Sequence, residues 1–384
     1  MKKTLVAIAA LAATGAFAQV TLTGNFDVAG SKVSGTQLGS NATTFSSTTG
    51  TSSTSVINIT AVEDIGAGMK VKAHYGLDPR TLTNDAFGVT EAAATKVTAT
   101  GLSRDEAFVS LAGSVGEIKL GAPNSIGLNV FQAASPLGTG VGSGYAPNAG
   151  TQTNSFVNTR YNRSMRFDSA VVGGFTASVL YAPGNDEVAV DAAAAALQIQ
   201  NARKSTEVGL KYANGPLNIA IVNISQAAIT NKTGWYSGAN AAGGEPAKTS
   251  ATVLGANYNF GNTTVYYGYN TGDRLAATSS ASGVAVKSKG SRIAVKQTIG
   301  QVDLMAQYST QETTGLTASG TSAGDAKGKV TGFRADYNLS KTAAVYAGYE
   351  KWDTGLTAAA GTAGATAGVT GDRKIVSFGL RKAF

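Results

Sequence analysis

The chain has no cysteine, a single histidine and only seven prolines in 384 residues. Without cysteine there are no disulfides and no thiolate ligands, and one histidine cannot build a Cys/His metal site or, without a second motif beside it, a hydrolase triad. Charge is also scarce, at 14% Asp, Glu, Lys and Arg. The basic excess, 31 Lys and Arg against 23 Asp and Glu, is spread thinly and forms no patch or helical stripe, which argues against nucleic acid as a partner. No stretch reaches the roughly 18 apolar residues of a membrane helix. No segment has a convincing amphipathic helical period, Asp191 to Gln200 being the best of the weak candidates.

What is present is glycine, 48 of it, and alternation. Lys2 and Lys3, the apolar Leu5 to Ala13 and the small-x-small Ala16-Phe17-Ala18 make residues 1–18 a cleavable secretory signal, leaving 19–384 as one domain. Removing it lowers the formal charge to +6, from 29 basic and 23 acidic residues. From Val20 onward, Val20, Leu22, Gly24, Phe26 and Val28 share one strand face, and Thr21, Thr23, Asn25 and Asp27 share the other. The period repeats at Met69, Val71, Ala73 and Tyr75 against Lys70, Lys72 and His74, and at Val302, Leu304, Ala306 and Tyr308.

Seven short turns, such as Gly113-Ser-Val-Gly116 and Asn214-Gly-Pro216, separate eight long polar segments near 30–54, 79–103, 122–159, 183–204, 226–250, 271–290, 311–328 and 353–372. This spacing predicts an all-β fold: an antiparallel barrel of about sixteen strands. Such a barrel is too wide for side chains to fill, so the polar faces must line water and the apolar faces must meet lipid. Closure then satisfies every backbone group where no water is available. Short turns at one end and long loops at the other match the periplasmic and extracellular ends of an outer-membrane barrel. The last strand carries Val376, Phe378, Leu380 and Phe384 on one face and Ser377, Gly379 and Arg381 on the other.

VTLTGNFDVAG at 20–30, VEDIGAGMKVKAHY at 62–75, AFVSLAGSVGEIKLGAPNS at 107–125, RYNRSMRFDS at 160–169 and GLRKAF at 379–384 occur in an order that resembles the general porins of Gram-negative bacteria, of the beta-proteobacterial and Neisseria-like type. The resemblance implies a homotrimer of sixteen-stranded barrels in the outer membrane, in contact with lipid and lipopolysaccharide. It also implies a third extracellular loop (122–159) folded into the pore opposite a ladder of basic residues, and a terminal Phe384 read by the barrel assembly machinery. The cargo would be small hydrophilic solutes and ions, with no cofactor. This chain departs from the pattern at Val56, at Ala122 and at Arg104-Asp105, where the family carries arginines, and its loop 122–159 holds no charged residue at all.

Counting up from the short turns places Lys72, His74, Lys119, Arg166, Lys296 and Arg334 near the lower middle of the lumen, and Arg160 joins them as a pore-lining candidate. Asp27, Glu117, Asp168, Asp303, Asp336 and Glu350 share the polar faces, so each basic residue could equally be a lumen residue paired with a neighbour. The Gly138 to Gly144 run lacks the Lys-Ser/Thr ending of a phosphate loop and is expected to lie against the pore wall. Tyr212, Tyr258, Phe260, Tyr267, Tyr269, Tyr337, Trp352 and Phe384 fit interfacial girdles. Three functions stay open. The first is a general diffusion pore with weak to moderate anion preference. The second is a substrate-specific porin, for which the inward aromatics Tyr266 and Tyr346 are few. The third is an outer-membrane enzyme, which would need a compact His, Asp and Ser cluster.

Overall fold

The structure, a computed structural model, describes residues 19–35, 42–46, 51–78, 89–92, 95–98, 105–145, 157–183, 203–228, 248–276, 284–318, 321–354 and 371–384. Nearly all of these are strand: β1 (Gln19–Ser34), β2 (Ala42–Ser46), β3 (Val56–Gly66), β4 (Met69–Leu77), β5 (Val89–Ala92), β6 (Thr95–Thr98), β7 (Ala107–Gly113), β8 (Gly116–Ala122), β9 (Ser164–Ser169), β10 (Phe175–Ala182), β11 (Arg203–Asn214), β12 (Leu217–Ala228), β13 (Lys248–Asn259), β14 (Thr263–Ala276), β15 (Val284–Ile299), β16 (Val302–Ala318), β17 (Thr321–Ser340), β18 (Ala343–Thr354) and β19 (Gly371–Ala383). One helix, α1 (Ile126–Ala133), lies between β8 and β9.

β5 and β6 pair only with each other, while the other strands form one sheet that closes through β19 on β1. β3 pairs with the lower half of β1 and β2 with the upper half, so the two occupy one position in the wall and the barrel has sixteen. All these pairings are antiparallel, and closure of β19 on β1 from Gly24 upward pairs the sheet's two ends with each other. At the seam Gly24 and Phe384 exchange backbone hydrogen bonds of 3.0 Å in both directions, and the Phe384 ring stacks on Phe26 at 5.6 Å.

Alternation sets the faces. On β11 Val208 and Leu210 are exposed outward, whereas Glu207 and Gly209 beside them are buried inside the barrel. The short turns close tightly; between β3 and β4 Gly66, Ala67 and Gly68 all take positive φ, at 84°, 52° and 74°, a region that glycine enters without cost.

The structure corrects the sequence reading in four places. Two of the long segments are largely strand: β14 and β15 reach Ala276 and Val284, and β16 and β17 meet across Ala318 and Thr321. Backbone pairing above the lipid needs no apolar face, so Thr/Ser/Gly-rich sequence extends the hairpins there. The first long segment contains β2 and an inward excursion described below. The helix is at 126–133, and Asp191 to Gln200 lies outside the described residues, as do residues 1–18. Trp352 is buried on the inward face of β18 beside Glu350 and Tyr346, while Tyr258, Tyr267, Tyr269 and Tyr337 do stand outward and exposed. No described helix is long and apolar enough to cross a membrane.

The barrel's inner wall is not uniformly polar. On β10, β12 and β13 the inward residues Leu180, Ala182, Ala220, Val222, Ile224, Ala251 and Val253 form an apolar sector, which α1 covers with Ile126, Leu128, Val130 and Phe131. At roughly 1.5–3 kcal/mol for each large side chain taken out of water, this contact is the main energy holding the helix inside the lumen.

Candidate functional site

The segment after β8 turns into the barrel and crosses its interior. α1 begins at Ser125, whose Oγ accepts from the Leu128 N–H at 2.8 Å, a conventional N-cap. A second acceptor comes from the wall: Glu207, fully buried, takes the Gly127 N–H at 3.0 Å and the Tyr161 hydroxyl at 3.0 Å. A carboxylate at a helix N-terminus is favoured by the macrodipole, which explains why the apolar sector tolerates it. Gln226 and Asn158 both donate to the Tyr161 oxygen, completing the network.

Beyond the helix, Ser135 donates to Gln307 Oε1 on β16 at 2.6 Å, and Gln307 returns its amide to the Ser143 carbonyl at 2.7 Å. On β18 Glu350 accepts the Gly142 N–H at 2.7 Å. Two wall glycines make room for this path. A Cβ on Gly255 of β13 would strike the Val130 carbonyl, and one on Gly332 of β17 would strike Gly142. The Gly138 to Gly144 stretch therefore does lie against the wall.

A second chain segment meets the loop tip. Asn25 pairs with Val56 and Ala29 with Ser46, and the described residues 51–55 between these pairings turn inward from the wall. The Ser52 and Ser53 N–H groups donate to Asp27 Oδ2 at 3.1 and 2.6 Å, the Tyr346 hydroxyl donates to Asp27 Oδ1, and Thr51 accepts the Val141 N–H at 2.7 Å. Asp27 is thus a buried carboxylate satisfied by an inward excursion, in the segment that the sequence suggests is an external loop.

The basic candidates fall into two lateral rows. Lys72, Ser110, Lys119 and Arg166 are register partners across β4, β7, β8 and β9; Lys296, Met305 and Arg334 are partners across β15, β16 and β17. Two residues nearer the short turns, each row has an acidic counterpart: Glu117 with Asp168, and Asp303 with Asp336. Lys72 lies 2.7 Å from Glu117, Lys119 and Arg166 lie 2.8 and 2.9 Å from Asp168, Lys296 lies 3.1 Å from Asp303 and Arg334 lies 2.9 Å from Asp336. Arg160 pairs with Asp105 at 2.8 Å and donates to Asn124 at 2.9 Å. His74 stacks on Phe108 at 5.1 Å with its Nδ1 2.9 Å from Thr60 Oγ1.

Five candidates, Lys72, His74, Lys119, Arg160 and Arg166, therefore gather on β4 to β9 and the chain around them, and Lys296 and Arg334 sit apart from them. Arg166 also reaches the loop, donating to Asn129 Oδ1 at 2.7 Å. Sequence reasoning missed Arg292, a buried guanidinium 3.8 Å above the Phe131 ring of α1, and missed Glu207 and Gln307 as loop anchors. The available signal was β12, LNIAIVNIS, which is apolar on both faces and so must be covered on both.

A sequence profile of the Gram-negative porin family matches residues 4–357. Outer membrane porin protein 32 of Delftia acidovorans is 29% identical over 268 residues, which cover 68% of this chain and 67% of that protein. Among solved structures, the anion-selective porin from Comamonas acidovorans superposes with a TM-score of 0.69 at 19% identity, over 96% of this chain and 100% of that one. OmpT of Vibrio cholerae in its trimer form gives 0.63 at 13% identity, over 96% of this chain and 100% of that one. With the closed sixteen-position barrel, the lipid-facing outer surface and the internally folded loop in place, the chain belongs to the Gram-negative porin family and is an outer-membrane diffusion pore.

Proposed function

We propose that this pore passes small hydrophilic solutes and ions by passive diffusion, with a weak to moderate preference for anions and no catalytic turnover. The observation that carries the preference is the unequal exposure of two lysine pairs, while at Arg166–Asp168 and Arg160–Asp105 the carboxylate is slightly the more exposed, which keeps the preference weak. Lys72 has 30% of its side chain exposed against 22% for Glu117, and Lys296 has 34% against 15% for Asp303. The buried carboxylates Asp27, Glu207 and Glu350 are all engaged by N–H or O–H donors of the loop or the excursion, so a passing ion meets ammonium groups more readily than carboxylates. The loop crossing the lumen adds no charge of its own. Low-dielectric walls then focus what field remains. That a structural neighbour is an anion-selective porin supports the same reading.

Reversal potentials in a dilute potassium chloride gradient test it. Chloride should be the more permeant ion, and Lys72→Gln with Lys296→Gln should move the permeability ratio toward unity or below. The effect should fade near 1 M salt, where the screening length is about 3 Å. A cation-selective unmodified pore, or an unchanged potential in the double variant, would overturn the proposal.

We further infer that residues 1–18 are removed on export, that the barrel works as a homotrimer, and that Phe384 serves recognition by the assembly machinery. The exposed Phe384 ring at the lower rim suits a role outside the lumen. Deleting it should reduce the amount of assembled barrel without changing the conductance of what does assemble, which surface quantification together with bilayer recording would measure.

A further inference from the structure

One step above the first basic row, toward the long-loop end, the lumen wall is aromatic. His74 on β4, Phe108 on β7 and Gly121 on β8 are register partners, two residues from Lys72, Ser110 and Lys119 on the same inward faces. The His74 and Phe108 rings stack at 5.1 Å with 23° between their planes, and Thr60 Oγ1, 2.9 Å from His74 Nδ1, holds the imidazole in that orientation. Both residues are half-buried, so part of this surface faces the passage. The third position of the row carries no side chain: Gly121 has φ 137°, and a Cβ there would strike the Ala107 carbonyl. Two cations crown one ring, the Lys72 and Lys119 ammonium groups lying 5.5 and 5.8 Å from the Phe108 centroid. With Arg166 they set three cations against two carboxylates, Glu117 and Asp168, so the cluster retains one net positive charge.

We propose that this step is a subsite for aromatic carboxylates, benzoate-like monoanions whose carboxylate meets Lys72 and Lys119 while the ring lies on the Phe108 and His74 surface. The inference deepens the diffusion-pore reading and rests on it, naming a solute class that the passage favours. One surplus positive charge suits one carboxylate. A phenyl ring turned into a watery lumen gains from any apolar face that covers it, and most from another aromatic face. Two residues along a strand span about 6.6 Å, so a carboxylate held at the basic row leaves its attached ring beside the aromatic row. An aliphatic acid of similar size makes the charge contact and buries the same area, but lacks the added attraction between aromatic rings. A neutral aromatic makes the stack without the charge. Binding stays weak because both lysines are shared with Glu117 and Asp168, and a solute must leave as readily as it enters.

Block of the single-channel current by added solute, recorded in dilute potassium chloride at neutral pH, tests the site. The parent should bind benzoate about two- to tenfold more tightly than cyclohexanecarboxylate, the increment that an aromatic pair adds beyond buried area. Benzamide, aromatic but neutral, should block more weakly than benzoate. Phe108→Leu should bring benzoate down toward the affinity of cyclohexanecarboxylate, and Phe108→Tyr should restore the difference, which shows that lost stacking and not a disturbed wall is responsible. Tyr258→Leu, on the outer face, should keep the parent's difference. The benzoate-to-cyclohexanecarboxylate ratio compares two anions of equal charge, so it does not depend on the chloride-to-potassium permeability ratio, and the two readings fail separately. Equal affinity of the parent for the two acids, an undiminished difference in Phe108→Leu, or block by benzamide equal to that by benzoate would overturn the assignment.

Discussion

Two sectors of the same barrel wall use opposite chemistry on their inner faces. On β10 to β13 Leu180, Val222, Ile224 and Val253 point inward and are sealed by α1. On β4, β8 and β9 Lys72, Lys119 and Arg166 point inward over Glu117 and Asp168 and stay partly exposed. The first sector fixes where the loop lies and therefore how wide the passage is. The second decides what charge the passage favours. Energies divide the same way: buried apolar contacts are worth several kcal/mol in sum, whereas each partly exposed ion pair contributes about 0–1 kcal/mol.

The comparison breaks most visibly if the covered sector is emptied. Leu128→Ala with Phe131→Ala removes two buried side chains at ~2–5 kcal/mol each. The loop should undock, raising single-channel conductance and opening residues 122–159 to protease. Glu207→Gln keeps the shape but removes the charge from the α1 N-terminus, at a loss of ~1.5–3 kcal/mol for the charged hydrogen bonds. Its expected sign is faster proteolysis of the loop, with conductance close to the parent's. Tyr346→Phe withdraws one donor from Asp27, which keeps the Ser52 and Ser53 N–H groups, and should cost ~1 kcal/mol, detectable as a small drop in thermal midpoint. In the open sector Lys72→Gln should leave both loop proteolysis and thermal midpoint near the parent's and move only the reversal potential. A large change in conductance from Lys72→Gln would erase the distinction.

Much of the wall was legible in the sequence because a period of two is a local property. Val20 to Val28 declares its faces without reference to any other strand, and so does the closing strand to Phe384. The interior was less legible, since its partners are distant. Nothing near Asp27 says that residues 52 and 53 will turn inward to satisfy it. The basic residues were recognisable as lumenal, yet their grouping into two rows above two acidic rows depends on the register between strands, which no single strand declares. Trp352 reads as part of an interfacial girdle because it is aromatic, although its parity with Glu350 places it inside. The both-sided apolarity of β12 was the one local clue to the loop's resting place.

The constriction is assembled from contacts that are remote along the chain. Gly142 meets Glu350 across 208 positions, Ser135 meets Gln307 across 172, and Thr51 meets Tyr346 across 295. Closing a loop of that length costs entropy, and hairpins formed in between shorten the effective loop. The loop can hold Gln307 of β16 through Ser135 and Ser143, but its grip on Glu350 needs β18 in the wall. A chain whose last strands have not yet docked would hold the helix against β10 to β13 with the far anchor missing, a half-finished channel wider than the one it becomes.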